Sequence, residues 1–188
     1  MTPRLIFLAG PNGAGKSTFY EAFLQNAALD FVNADRITGT LGISNEEAAA
    51  VADHLRNELL LAGKSFITET VFSDPAGAKL QFLRDATDVG YQVTIYFIGL
   101  ASPALSAARV WQRTQAGGHD VPPDRLQRRY EQSLKNLSVA LPFATEVRVF
   151  DNSVSARPFR LVLTAERGVV SYRARPFPRW LGAAIRDL

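Results

Sequence analysis

The sequence predicts an α/β fold, a mostly parallel sheet with helices on both faces. Three observations lead there. Apolar, strand-like runs alternate with helix-like runs along most of the chain, the pattern of successive strand–helix–strand units. The stretch Gly10-Pro11-Asn12-Gly13-Ala14-Gly15-Lys16-Ser17-Thr18 fits G-x-x-x-x-G-K-[ST] and stands between one such strand and one such helix. Three predicted strands end at a carboxylate, Asp35, Glu69 and Asp151, on the edge where parallel sheets bind their ligands. Together these describe a P-loop NTPase fold with strand order 2-3-1-4-5. A helical lid bearing arginines over about 102–141 and a C-terminal β-hairpin complete a single domain, 1–188.

The elements follow in order. Leu5-Ile6-Phe7-Leu8-Ala9 is an apolar run that reads as a buried strand. From Thr18 to Gln25 a helix is expected, with Phe19 and Phe23, and Tyr20 and Leu24, at four-residue spacing. Asp30 to Asp35 reads as a short strand. Ser44-Asn45-Glu46-Glu47 is a capping box; it opens a helix through Ala48, Val51, Leu55 and Leu59 that Gly63 stops. Ser65 to Thr70 is the third strand. Asp74 before Pro75 starts the next helix by the cap-then-proline rule, and Gly90 ends it. Gln92 to Gly99, aromatic and β-branched, is the fourth strand. Ser102-Pro103 repeats the cap-proline start for a helix reaching about Ala116, which the Gly117–Pro123 segment breaks. Asp124 to about Leu141 is a second, basic helix, and Glu146 to Phe150 the fifth strand. Phe159–Ala165 and Val169–Ala174 form a hairpin through Glu166-Arg167-Gly168, and a short helix lies near Trp180.

The glycine-rich loop carries the first chemistry. Glycine lets the backbone wrap a phosphate where a side chain would block it, and the loop N–H groups and helix N-terminus then point at the anion. Gly10 through Thr18 are the expected nucleotide-binding residues. Lys16 reaches the β- and γ-phosphates, and the Ser17 hydroxyl binds Mg²⁺. On order 2-3-1-4-5, Glu69 neighbours the P-loop strand, where it holds Mg²⁺ through water or touches the acceptor. Asp35 lies one strand further out, where a carboxylate accepts the proton of an acceptor hydroxyl.

Arginines carry the second. Arg109 and Arg113 share a helix face, and Arg125, Arg128 and Arg129 cluster on the next helix. Around the Gly117-Gly118 break this makes a helix–turn–helix flap whose planar guanidinium groups suit a transferring phosphoryl group. His119 sits in the flap turn. His54, among alanines and leucines, reads as structural.

With 188 residues, 47% hydrophobic and 21% charged, the chain can bury a core without staples. Having no cysteine, it has no disulfide and no thiolate metal ligand. The first strand begins within a few residues of Met1, and no apolar run approaches the roughly 20 residues of a membrane helix. A cytoplasmic protein without a membrane partner is expected. The net charge of +3 suits anionic substrates and does not exclude nucleic acid.

The ordered set Gly10–Thr18, Asn33-Ala34-Asp35-Arg36-Ile37, Glu69-Thr70, and Arg109-Val110 through Gly117-Gly118-His119-Asp120-Val121-Pro122 resembles the zeta toxin family. Asn136 and Asp151-Asn152-Ser153 fit its short branch, so the likeness runs from about Leu5 to Ser153. That group of small P-loop kinases includes UDP-N-acetylglucosamine kinases of toxin–antitoxin systems. The resemblance implies Lys16 and Ser17 on ATP–Mg²⁺, Asp35 as the base, and Glu69 and Thr70 near the acceptor; Arg109 is a further candidate for binding the substrate. It implies one arginine from each lid helix on the phosphates, Arg113 with Arg125, or with Arg128 in place of Arg125. It also implies an antitoxin as a protein partner.

The expected function is thus ATP-dependent phosphorylation of a hydroxyl on a small metabolite, a sugar nucleotide being one candidate. A nucleoside or polynucleotide kinase would use the same base and arginines. A nucleotide-dependent switch or ATPase is the alternative of another class. Asp74-Pro75-Ala76-Gly77 has the D-x-x-G shape of a GTPase switch, but no N-K-x-D guanine motif accompanies it.

Overall fold

In the computed structural model of the chain, residues 2–115 and 122–185 are described. A mixed sheet of seven strands runs in the order β2-β3-β1-β4-β5-β6-β7. The five strands β1 (Arg4–Ala9), β2 (Asp30–Val32), β3 (Phe66–Thr70), β4 (Gln92–Gly99) and β5 (Glu146–Asp151) are parallel and hold the predicted order. The C-terminal hairpin, β6 (Arg160–Glu166) and β7 (Val169–Arg173), adds antiparallel to β5 and widens the sheet.

Strand β1 shows how the sheet is sandwiched. Leu5, Phe7 and Ala9 enter one apolar cluster, and Leu8, with Ile6 beside it, enters the other. This is the two-residue alternation of a strand covered on both faces. The first cluster takes Ala52 of α3 (Asn45–Leu61), Leu83 and Ala86 of α4 (Ala78–Asp88), Leu137 and Ala140 of α6 (Pro123–Ala140), and Trp180 and Leu181 of α7 (Arg179–Ala184). The second takes Phe19 of α1 (Lys16–Phe19) with Tyr20 and Leu24 of the π turn Tyr20–Leu24 that continues it. Leu105 of α5 (Pro103–Gln115) packs against that second cluster.

Local signals hold in several places. Ser44 accepts the Glu47 N–H while the Glu47 side chain returns to the Ser44 N–H, the full capping box of α3. Ser102 Oγ accepts the Leu105 N–H at the start of α5. Three expectations are corrected. The helix after the P-loop widens into a π turn over Tyr20–Leu24, and Phe23 is 61% exposed although its ring packs on Phe19 at 4.8 Å between centroids. Asp74 does not begin α4. Gly77 is its N-cap and Asp74 Oδ2 receives the Lys79 N–H from outside the helix. Strand β2 stops at Val32, short of the Asp35 end expected, and Ala34 begins a further helix, α2 (Ala34–Leu41).

Candidate active site

The loop between β1 and α1 closes on itself through Ala14 N–H to Pro11 O (3.3 Å) and Phe19 N–H to Gly15 O (2.9 Å). Lys16 lies in its floor, 8% exposed, its Nζ donating to Pro11 O at 3.2 Å. Among the described residues no carboxylate stands within ion-pair distance of that ammonium. Burial, which strips water from the charge, lowers its pKa. Glu69 and Asp35 pull it back up and Arg113 pushes it down. Lys16, Glu69, Asp35 and Arg113 therefore share one electrostatic neighbourhood.

Glu69 sits beside Leu8 in the β1–β3 register. Ser17 Oγ is 3.3 Å from each of its carboxylate oxygens, and Asn33 Nδ2 donates to Oε2 at 2.8 Å. The two residues expected at the cation thus meet. Among the described residues no group of three or more His, Cys, Asp or Glu forms a metal cage. This arrangement suits Mg²⁺, which takes one or two protein oxygens and completes its shell with phosphate and water. Thr70, next along β3, accepts the Phe72 N–H on its Oγ1 at 3.2 Å, which turns the chain after the strand.

Asp35 is not a strand-end acid. Asn33 caps α2 by accepting the Arg36 N–H at 2.9 Å, so Asp35 falls in the first helical turn. A carboxylate is favoured there by the helix dipole. It remains exposed on the same edge of the sheet, within the field of Lys16 and of Arg129.

The arginines take different surroundings. Arg109 is bound to the P-loop by packing: a Cβ on Gly13 would lie 3.1 Å from Arg109 Cβ. Arg113, one turn on, is exposed. Arg128 turns to solvent and pairs with Asp124 at 2.6 Å, the two side chains 74% and 70% exposed. Its neighbour Arg129 is half-buried and faces Asp35; burial first, then Arg125, lowers its pKa, and Asp35 opposes them. Arg125 and Arg129, four apart on α6, are close enough to act on one another. Helical phase could have separated Arg129 from Arg128 only with knowledge of which face is covered. Gly117, Gly118, His119, Asp120 and Val121 lie outside the described residues.

Asp151 serves its own turn, receiving Ser153 N–H at 3.1 Å and the Ser153 hydroxyl, with Arg160 at 3.8 Å. The next residue, Asn152, reaches the P-loop instead: its Nδ2 donates to Ala14 O at 2.8 Å. Ser106 of α5 does likewise, donating to Asn12 O at 2.7 Å. Neither had been singled out from sequence as a P-loop partner. Their signals were faint: a small hydroxyl four residues before Val110 on a buried face, and an amide just beyond a strand end.

The AAA domain family matches residues 5–136. An uncharacterized protein of Haemophilus influenzae is 30% identical over 134 residues, 69% of this chain and 94% of that one. Among solved structures, the complex of AvrRxo1-ORF1 with AvrRxo1-ORF2 aligns at TM-score 0.72 and 18% identity, over 100% of this chain and 66% of that one. The PezAT toxin–antitoxin system of Streptococcus pneumoniae gives TM-score 0.62 and 13% identity, over 98% and 85%. A putative kinase of Chloroflexus aurantiacus gives 0.61 and 18%, over 84% and 92%. The chain spans less than two thirds of the AvrRxo1-ORF1 chains it matches. The fold is that of P-loop kinases, and the likeness to the zeta toxin family drawn from motifs is borne out at the level of fold.

Proposed function

The chain belongs to the AAA domain family, and on that premise we propose that it is an ATP-dependent kinase acting on a hydroxyl of a small metabolite. The observation that carries this reading is Lys16. Among the described residues its buried ammonium donates only to a carbonyl, which is costly, and the triphosphate of ATP is the anion that would complete it. A P-loop ATPase would need that lysine too; the acceptor side of the reading rests on Asp35, exposed beside it with Arg129 opposite.

In the proposed reaction the acceptor oxygen attacks the γ-phosphorus. The bond to the β–γ bridging oxygen breaks, ADP leaves with that electron pair, and the acceptor proton passes to the Asp35 carboxylate. Lys16 and Arg113 offset charge on the transferring group, and Arg125 and Arg129 bind from the other side of the cleft. Mg²⁺, when bound, neutralises phosphate charge; Ser17 and Glu69 are the side chains that fit it. Arg109, set against the loop, and Thr70, beside Glu69, line the acceptor side.

Resemblance to the zeta toxins supports a sugar nucleotide such as UDP-N-acetylglucosamine as acceptor. PezAT being a toxin–antitoxin system supports an antitoxin as partner. Among the described residues no helix is long and apolar enough to cross a membrane, and a cytoplasmic site is part of the proposal. The switch alternative is weaker. Asn136 Nδ2 holds the carbonyls of Phe72 (3.0 Å) and Asp74 (3.2 Å), which pins the D-x-x-G stretch to α6. The test is a screen of sugar nucleotides, nucleosides and sugars with γ-labelled ATP. Label transferred to a small molecule supports the reading, and release of free phosphate alone with every acceptor overturns it.

A further inference from the structure

A phosphate-binding loop works only if its N–H groups converge, and something must hold them so. In a planar trans peptide the C=O of one residue and the N–H of the next point in opposite directions. Whatever grips a loop carbonyl therefore aims the following N–H. Two side chains grip carbonyls of this loop from opposite flanks. Ser106, wholly buried in α5, holds Asn12 O at 2.7 Å, which directs the Gly13 N–H the other way. Asn152, 8% exposed, holds Ala14 O at 2.8 Å, which directs the Gly15 N–H.

Asn152 is itself held at both ends of its side-chain amide and at its backbone N–H. Its N–H donates to Gly99 O at 3.0 Å and its Oδ1 accepts the Phe159 N–H at 3.3 Å. Both clamps come too close for a side chain on the loop. A Cβ at Gly13 (φ +68) would stand 2.9 Å from Ser106 O, and one at Gly15 (φ +91) 2.8 Å from Asn152 Nδ2. Glycine at these two places admits the clamps as well as the phosphate.

We propose that Ser106 and Asn152 are positioning residues that preset the Gly13 and Gly15 N–H groups for a nucleotide phosphate. This rests on the nucleotide site proposed above. The clamps shape the free protein, so ATP does not spend binding energy in ordering the loop.

The experiment is calorimetric titration of ATP–Mg²⁺ into wild type, Lys16→Ala, Ser106→Ala and Asn152→Ala, well below each melting temperature. Each clamp variant is expected to bind ATP about threefold to tenfold more weakly, the worth of one hydrogen bond. Its KM for ATP rises more than its kcat falls. Ser106→Cys, which keeps the size and a weak donor, recovers part of the loss. A purely structural role would lower the melting temperature and leave affinity unchanged in the folded variant, and that result overturns the proposal. If Asn152→Ala does not fold, Ser106→Ala alone decides by the same criterion. If wild type itself fails to bind ATP, the nucleotide site falls and the clamps with it. Wild-type binding that Lys16→Ala alone abolishes upholds the site and rejects the clamps.

Discussion

Asn33 joins two jobs in one side chain: its Nδ2 donates to Glu69 Oε2 at 2.8 Å while its Oδ1 caps α2 at the Arg36 N–H, 2.9 Å away. The amide therefore ties the carboxylate beside Ser17 to the helix that carries Asp35. Asn33→Ser keeps a cap and loses the reach to Glu69, so phosphoryl transfer is expected to fall while stability changes by only a few tenths of a kcal/mol. Asn33→Ala loses both, and urea melts should show an additional cost of about 1 kcal/mol. Equal transfer rates in wild type and Asn33→Ser would detach this residue from the chemistry.

Lys16 makes the folded protein less stable than it would otherwise be. Its pKa is lowered from 10.5 on folding, so in the window below 10.5 the unfolded chain binds the proton more readily. Stability thus rises with pH through that window, and the cost is fully present below it. Lys16→Met is expected to stabilise the ligand-free protein at neutral pH by about 1–3 kcal/mol and to lose the thermal shift given by ATP. Bound phosphate favours the charged form, so wild-type ATP affinity falls as pH rises through the lowered pKa. A destabilised Lys16→Met protein would contradict the uncompensated ammonium.

Asp35→Asn keeps the shape of the side chain and its place in α2. ATP affinity should stay near wild type, since the P-loop holds the nucleotide. Transfer to the acceptor should drop at least about a hundredfold, the usual worth of a general base. Single-turnover transfer of labelled γ-phosphate measures it. A wild-type rate would return Asp35 to a helix-start acid and end the mechanism given above.

Neighbouring arginines should separate cleanly. Arg128→Ala removes an exposed pair worth no more than about 1 kcal/mol and should leave turnover unchanged. Arg129→Ala and Arg125→Ala should lower kcat by about a hundredfold, the low end of what a charge stabiliser contributes. Loss of activity on replacing Arg128, with Arg129→Ala active, would mean the two helix faces are exchanged when ligand is bound.

The sheet was largely legible because one motif anchored it. With the loop fixing β1, alternating apolar runs left few orders for the other strands, and β4 was bounded at Gln92 and Gly99 as observed. Capping boxes and cap-proline pairs are local chemistry, so the starts of α3 and α5 could be read. Asp35 was misplaced because Phe31-Val32 continues into a residue, Ala34, that suits strand or helix equally. The cue was Asn33, a cap residue followed by an acid two positions on. Helical phase kept Arg128 and Arg129 from being told apart: their sequence spacing is fixed, but the covered face of α6 is decided by the elements packed on it, with Tyr130 donating to Leu100 O. Ser106 and Asn152 act on carbonyls, and backbone acceptors leave no mark on sequence.

The two clamps lie 94 and 138 residues from the carbonyls they hold. Closing loops of that length comes late in chain collapse, so on the clamp proposal the motif near the N-terminus reaches its full grip only once β5 has docked beside β4. During synthesis the chain would carry its glycine-rich loop for most of its length without that full grip. ATP affinity would then report completion of the sheet: ribosome-bound chains halted before Asn152 should need more ATP for protease protection than chains released past β6.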